Sequence, residues 1–176
     1  MTSTAILIPA RWGSKRFEGK PLCDLDGLPM IRRVHDICAA SKIPTFVLTD
    51  DVRVANAVND KCTVIIDKRE FNDMPDVTGK MINEINDMSR GVYYSGGVST
   101  LYAKMEKHLQ SEPNCVKMVH NDTEAHWFGR GITMGSHHLG IYGYSRNMLE
   151  KYGTVQDKYE EHEGLEQLRW IAMGEE

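Results

Sequence analysis

Residues 5–20 constrain this chain more than any other stretch. Ala5-Ile6-Leu7-Ile8 is a short apolar run that stops at Pro9 and opens into Ala10-Arg11-Trp12-Gly13-Ser14-Lys15-Arg16-Phe17-Glu18-Gly19-Lys20. A continuous apolar run of this length, without polar alternation, fits a strand buried on both faces, as in a parallel sheet. The loop behind it carries the cations Arg11, Lys15, Arg16 and Lys20, with Gly13 and Gly19 among them. Glycines let a backbone come close to phosphates, which N–H groups and cations then hold. A buried strand that releases such a loop is therefore read as a polyphosphate site.

The rest of the chain repeats the alternation of strand and helix. Asp26-Gly27 signals a turn. Pro29 starts a helix with Ile31, Val34, Ile37 and Cys38 on its apolar face. Strands are expected at Thr45 to Leu48 and Thr63 to Ile66. Between them, Thr49-Asp50-Asp51 offers a helix N-cap, and Val54, Ala57 and Val58 form the apolar face of that helix. Further on, the pattern predicts a loop over 68–80, a helix near 80–89, a strand at Val92 to Tyr94 and a helix from Ser99 to Leu109. Strands at Val116 to Val119 and Leu139 to Tyr144 follow, then helices over 145–152 and about 160–172. This order predicts an α/β fold with a doubly wound, mostly parallel sheet. In such a sheet the ligand lies at the C-terminal strand ends, where the opening loop sits.

Composition narrows the partners. At 176 residues the chain suits one domain. A net charge of −4 makes the basic loop a local feature of an acidic protein, which suits a small anionic ligand and argues against nucleic acid. No apolar run approaches the roughly 18 residues of a membrane span, and no basic region precedes the first apolar run. Cys23, Cys38, Cys62 and Cys115 are widely spaced, so they read as reduced thiols of a cytoplasmic protein. Asp50 and Asp51 are accounted for by the helix cap, and no metal ligands are assigned.

Four segments of the N-terminal part resemble the opening of sugar-acid cytidylyltransferases: Ile8-Pro9-Ala10-Arg11, Gly13-Ser14-Lys15-Arg16, Gly19-Lys20-Pro21-Leu22 and Gly27-Leu28-Pro29-Met30-Ile31. Three more are similar to motifs of the 3-deoxy-manno-octulosonate cytidylyltransferase (CMP-Kdo synthetase) family: Pro113-Asn114-Cys115-Val116-Lys117, His138-Leu139-Gly140-Ile141-Tyr142-Gly143-Tyr144 and Leu165-Glu166-Gln167-Leu168-Arg169. The resemblance implies a nucleotide-diphospho-sugar transferase-like, Rossmann-like fold, transfer of CMP from CTP to a 3-deoxy-octulosonate-type sugar acid, and Mg²⁺ as cofactor. It places lipopolysaccharide biosynthesis as the setting and a homodimer as the assembly. Ala10, Arg11, Gly13, Ser14, Lys15, Arg16 and Lys20 would then bind the nucleotide, with Arg16 and Lys20 also acting on the reacting phosphates. Arg130, His138, Tyr142, Glu166 and Gln167 would bind the sugar acid.

The chain also departs from that pattern. The family has Gln-Gly-Asp-Glu-Pro after a central strand, and its Asp binds magnesium. The stretch set against it here is Tyr93-Tyr94-Ser95-Gly96-Gly97-Val98, with Gly97 at the Asp position. A second magnesium Asp belongs to a C-terminal Val-Asp-Thr-Pro-Glu-Asp segment, and this chain ends at Glu176 before it would begin. Residues 1–176 are thus expected to form a single nucleotidyltransferase-like domain without that segment. Three readings follow: a cytidylyltransferase with reduced or lost activity; a non-catalytic nucleotide- or nucleotide-sugar-binding relative with a regulatory or partner-binding role; and an active transferase whose metal is held by Asp73, Asp76 or Glu84.

Overall fold

A computed structural model describes residues 4–13, 17–66, 97–121, 124–152 and 158–174. The expected helix near 80–89 and strand at 92–94 lie outside the described residues. The chain divides into two compact units, Met1–Val92 and Tyr93–Glu176.

In the first unit, strands β1 (Ile6–Pro9), β4 (Thr45–Thr49) and β5 (Thr63–Ile66) form a parallel sheet in the order β1-β4-β5. Ile8 faces Val47, and Val47 faces Val64. Ile8, Ala10, Ile31, Val47, Val54 and Val58 form one buried cluster, and Phe46, Leu48 and Ile65 form another. Consecutive residues of β4 belong to different clusters, which is why its sequence is apolar without alternation. A two-stranded hairpin, β2 (Asp24–Leu25) and β3 (Leu28–Pro29), turns at Asp26 and Gly27, both at positive φ (57° and 83°), as a tight Asp-Gly hairpin turn requires.

Helix α1 (Met30–Ala39) starts where Pro29 predicts, but its buried stripe is not the expected one. Ile31 and His35 are buried and Cys38 packs on the core, whereas Val34 is 40% and Ile37 76% exposed. The stripe follows i, i+4, i+7, and Ile37 lies about 240° around the helix from Ile31. Arg32 anchors α1 through two hydrogen bonds to Asp60 (2.8 and 3.2 Å) and one to the Ala57 carbonyl (2.9 Å). Helix α2 (Val52–Asn56) is capped as expected, the Asp51 side chain accepting from the Arg53 amide at 2.7 Å.

The second unit holds an antiparallel sheet. Strands β6 (Val98–Ala103), β7 (Lys117–His120), β8 (Ala125–Gly129) and β9 (Ser136–Tyr144) run in the order β6-β9-β7-β8. The expected helix from Ser99 to Leu109 is corrected here. Residues 98–103 pair with β9, and only α3 (Lys107–Gln110) is helical. Val, Thr and Tyr suit a pleated strand, and pairing with β9 decides the matter over local helical spacing. The expected helix over 160–172 is two helices, α5 (Lys158–Glu163) and α6 (Leu168–Ala172), separated at Gly164 with φ +60°. Helix α4 (Arg146–Tyr152) precedes them.

Candidate functional site

The loop after β1 begins with Ala10, whose amide extends the parallel ladder by donating to the Leu48 carbonyl (2.8 Å). That N–H is therefore spent on the sheet. The next residue tied down is Trp12, whose amide donates to Asp50 Oδ1 (2.7 Å) and whose indole N–H donates to Glu18 (3.1 Å). The Arg53 guanidinium lies 3.4 Å from the Trp12 ring centroid and pairs with Asp51 (2.6 Å). The Gly19 amide donates to the Trp12 carbonyl (3.1 Å), tying the two ends of the loop together.

Gly19 has a different job from the one its place in a phosphate loop suggests. Its φ is +70°, and a Cβ there would sit 2.8 Å from the Trp12 ring. It is glycine because Trp12 packs against it. Gly13 is exposed with open space around it. Lys20 is exposed at the start of a short 3-10 turn, Lys20–Leu22, which buried Pro21 anchors. Of the expected nucleotide residues, Ala10, Arg11, Gly13 and Lys20 thus lie on one stapled loop. Ser14, Lys15 and Arg16 lie outside the described residues.

The carboxylates at this strand edge are already engaged. Asp50 accepts from Trp12, and Asp51 caps α2 and pairs with Arg53, whose hydrogen bond holds the Asp51 pKa below the usual range. Among the described residues no group of three or more His, Cys, Asp or Glu is arranged to hold a metal ion. Asp73, Asp76 and Glu84 lie outside the described residues. Gly97 stands immediately ahead of β6, so it enters a strand. The strand expected ahead of it, at 92–94, lies outside the described residues.

In the second unit, three of the five residues expected to bind sugar come together. His138, on β9, is 6% exposed. Its ring lies 5.4 Å from that of Tyr142 and meets Phe128 edge-on at 5.0 Å. Its Nε2 lies 2.9 Å from Thr100 Oγ1. Burial, with His137 nearby, lowers its pKa from 6.5 to about 4, so the ring is neutral at pH 7. Tyr142 stacks on Tyr144 (5.9 Å), and Tyr144 packs against Tyr152 and Trp170. Burial is the main cause that raises the phenol pKa of all three tyrosines, and the Glu166 charge adds to it. That carboxylate therefore lies in the same aromatic cluster as Tyr142.

Glu166 is fixed from behind, where it accepts a hydrogen bond from the Tyr152 hydroxyl (2.8 Å). Arg169, 3% exposed, donates to both oxygens of Glu160 (2.7 Å each) and to the Tyr152 carbonyl (2.6 Å). Gln167 is 5% exposed, and its side chain has no hydrogen-bond partner among the described residues. Arg130 donates to the Glu163 carbonyl (2.8 Å), near the start of the segment that carries Glu166 and Gln167.

The roles of several residues that build these regions were not visible from sequence, and Asp50, read there as part of the helix cap, instead accepts from the Trp12 amide. Thr100, Tyr152 and Asp50 act through partners 38, 14 and 38 positions away. Lys117 is 2% exposed and donates to the carbonyls of Glu112 and Arg130 (3.1 and 2.8 Å), bracing the turn before β7 against the end of β8. The one signal for it was its place in the Pro113–Lys117 segment.

The sequence profile of a family described as cytidylyltransferase matches residues 5–90. An 8-amino-3,8-dideoxy-manno-octulosonate cytidylyltransferase of Shewanella loihica is 32% identical over 213 aligned positions, which cover 98% of this chain and 87% of that protein. A 3-deoxy-manno-octulosonate cytidylyltransferase of Escherichia coli is 30% identical, with 99% and 85% covered. The alignment of 213 positions exceeds the 176 residues of this chain, so the relative carries segments within the matched span that this chain lacks. A solved CMP:2-keto-3-deoxy-manno-octonic acid synthetase complexed with CTP superposes with a TM-score of 0.77 at 27% identity, covering 98% of this chain and 87% of that one.

Proposed function

This chain belongs to the 3-deoxy-manno-octulosonate cytidylyltransferase family, and from that membership we propose that it binds CTP and transfers its cytidylyl group to a 3-deoxy-octulosonate-type sugar acid, at a reduced rate. The observation that carries this reading is the convergence of buried His138 with half-buried Tyr142 and Glu166 in one aromatic cluster. The sequence scatters these residues over two segments, and a solvated helix face does not account for them. On the first unit, the CTP phosphates would meet Arg11, Lys15, Arg16 and Lys20. The Ala10 and Gly19 amides are already used in the fold, so these cations supply charge-assisted contacts that those two amides do not. Arg16 and Lys20 would stabilise the charge that develops on the α-phosphate as pyrophosphate leaves.

The proposal of a reduced rate is supported by the segments that the matched enzyme carries within the aligned span and this chain lacks. The carboxylate of the magnesium motif is sought in Asn72-Asp73-Met74-Pro75, which keeps the Asp-x-Pro order of that motif. A second reading, nucleotide binding without catalysis in a regulatory role, is favoured by the engagement of Asp50 and Asp51. Pyrophosphate release from CTP with Kdo and Mg²⁺ separates the two. The first reading expects slow, Kdo-dependent release that Asp73→Asn abolishes while CTP still binds. CTP binding with no release supports the second. We also propose a homodimer, supported by the exposed apolar residues Leu101, Leu139 and Ile141 on β6 and β9. A monomer in sedimentation at micromolar concentration would overturn it.

A further inference from the structure

We propose that Thr100 is a positioning residue that fixes the Nε2–H tautomer of His138, leaving Nδ1 as a lone-pair acceptor for a hydroxyl or ammonium group of the sugar ligand. The ligand part rests on the sugar-binding reading above; the tautomer part stands on geometry alone. The Thr100 hydroxyl has one proton and two close neighbours, the Ile141 carbonyl at 2.8 Å and His138 Nε2 at 2.9 Å. A carbonyl oxygen only accepts, so the hydroxyl proton lies on the line to Ile141. The lone pair of Oγ1 then faces Nε2, and Nε2 must carry the hydrogen. The opposite assignment would set two oxygen lone pairs against each other at 2.8 Å.

The backbone arranges this contact. Thr100 is opposite Tyr142, while Tyr102 is opposite His138, so two steps along β6 match four along β9. The excess residues form a bulge, and Gly140 supplies its left-handed position at φ +66°. Within the bulge, the Ile141 carbonyl meets the Thr100 side chain. On the other side of the ring, Nδ1 has no hydrogen-bond partner among the described residues. Trp170 Nε1 alone among them is buried without a partner, although it lies close enough to the Tyr144 phenol to lower its pKa. His138 as a whole is 6% exposed, and Nδ1 is the ring nitrogen that Thr100 leaves for a ligand. A neutral ring that only accepts at its open nitrogen cannot donate to a carboxylate. It selects a hydroxyl or amine of the ligand, and the carboxylate must find its donors elsewhere.

Long-range ¹H–¹⁵N spectra of the full chain labelled in histidine nitrogen test the proposal, with His138 assigned by its absence in His138→Gln. The wild-type protein should show protonated Nε2 and unprotonated Nδ1. Thr100→Val should populate the other tautomer, Thr100→Ser should retain the first, and Thr100→Ala serves if the valine variant fails to fold. Adding Kdo should shift Nδ1 without changing the tautomer, and Thr100→Val should bind Kdo about five- to tenfold more weakly, as loss of one hydrogen bond implies. Protonated Nδ1 in the wild type, or an unchanged tautomer in both Thr100→Val and Thr100→Ala, would overturn the proposal. If Kdo does not bind at all, the sugar reading falls, while the tautomer spectra still decide the role of Thr100.

Discussion

Single residues in this chain hold positions that their types alone do not explain. Gly13 and Gly19 share one loop, yet a methyl group at 13 meets nothing and one at 19 meets the Trp12 ring at 2.8 Å with φ +70°. Gly19→Ala should cost about 1–3 kcal/mol of stability, and Gly13→Ala should be close to neutral, in urea unfolding. A Gly19→Ala midpoint equal to that of the wild type would remove the Trp12 staple from the account. His138 gives a second expectation. Its folded pKa of about 4 lies below its ordinary 6.5, so the unfolded chain binds the extra proton between those values. Stability should therefore rise with pH from about 4 to 6.5, by up to about 3 kcal/mol, and level off above. Urea midpoints across that range should climb less steeply in His138→Gln; equal slopes would show that the ring titrates normally.

At the scale of elements, local pattern was sufficient where one strand or helix settled its own burial. The Asp26-Gly27 turn and the Asp51 cap appear as read, because each depends on neighbours a few residues away, and the first apolar run becomes β1 (Ile6–Pro9) although its partner β4 lies about forty positions on, because its unbroken apolar pattern already marks it for a buried sheet. It failed where a distant partner decides. Residues 98–103 become a strand because β9 pairs with them, and β9 lies almost forty positions on. The Thr100–His138 contact was invisible for the same reason, since it exists only in one register and only beside a bulge. The last two helices were read as one over about 160–172, but Gly164 at positive φ ends the first of them at Glu163. What joins the two pieces is Arg169 on Glu160, a largely buried ion pair. Arg169→Met should destabilise the second unit by about 2–4 kcal/mol, by leaving Glu160 without its partner. Thermal unfolding should show that loss, and an unchanged midpoint would mean the pair contributes nothing net.

The whole molecule carries two candidate sites of different chemistry, one on each unit. The loop after β1 is open, cationic and polar, with Lys20 exposed at its stapled end. The cluster on β9 and α4–α6 is aromatic and partly buried, with Glu166 as its carboxylate. No described helix is long and apolar enough to cross a membrane. The first site was legible because phosphate binding needs a local run of cations and glycines. The second was legible only through its resemblance to family motifs, since nothing in the residues from 136 to 170 states which of them converge. If the two sites are separate subsites for nucleotide and sugar, their losses must separate as well. Calorimetric titration with CTP of the wild type, Lys20→Ala and His138→Ala tests this most directly. The account predicts that Lys20→Ala weakens CTP binding about tenfold or more, as expected for a lost charge-assisted contact, while His138→Ala stays within about twofold. Equal losses from both substitutions, or no CTP binding by the wild type, would contradict it.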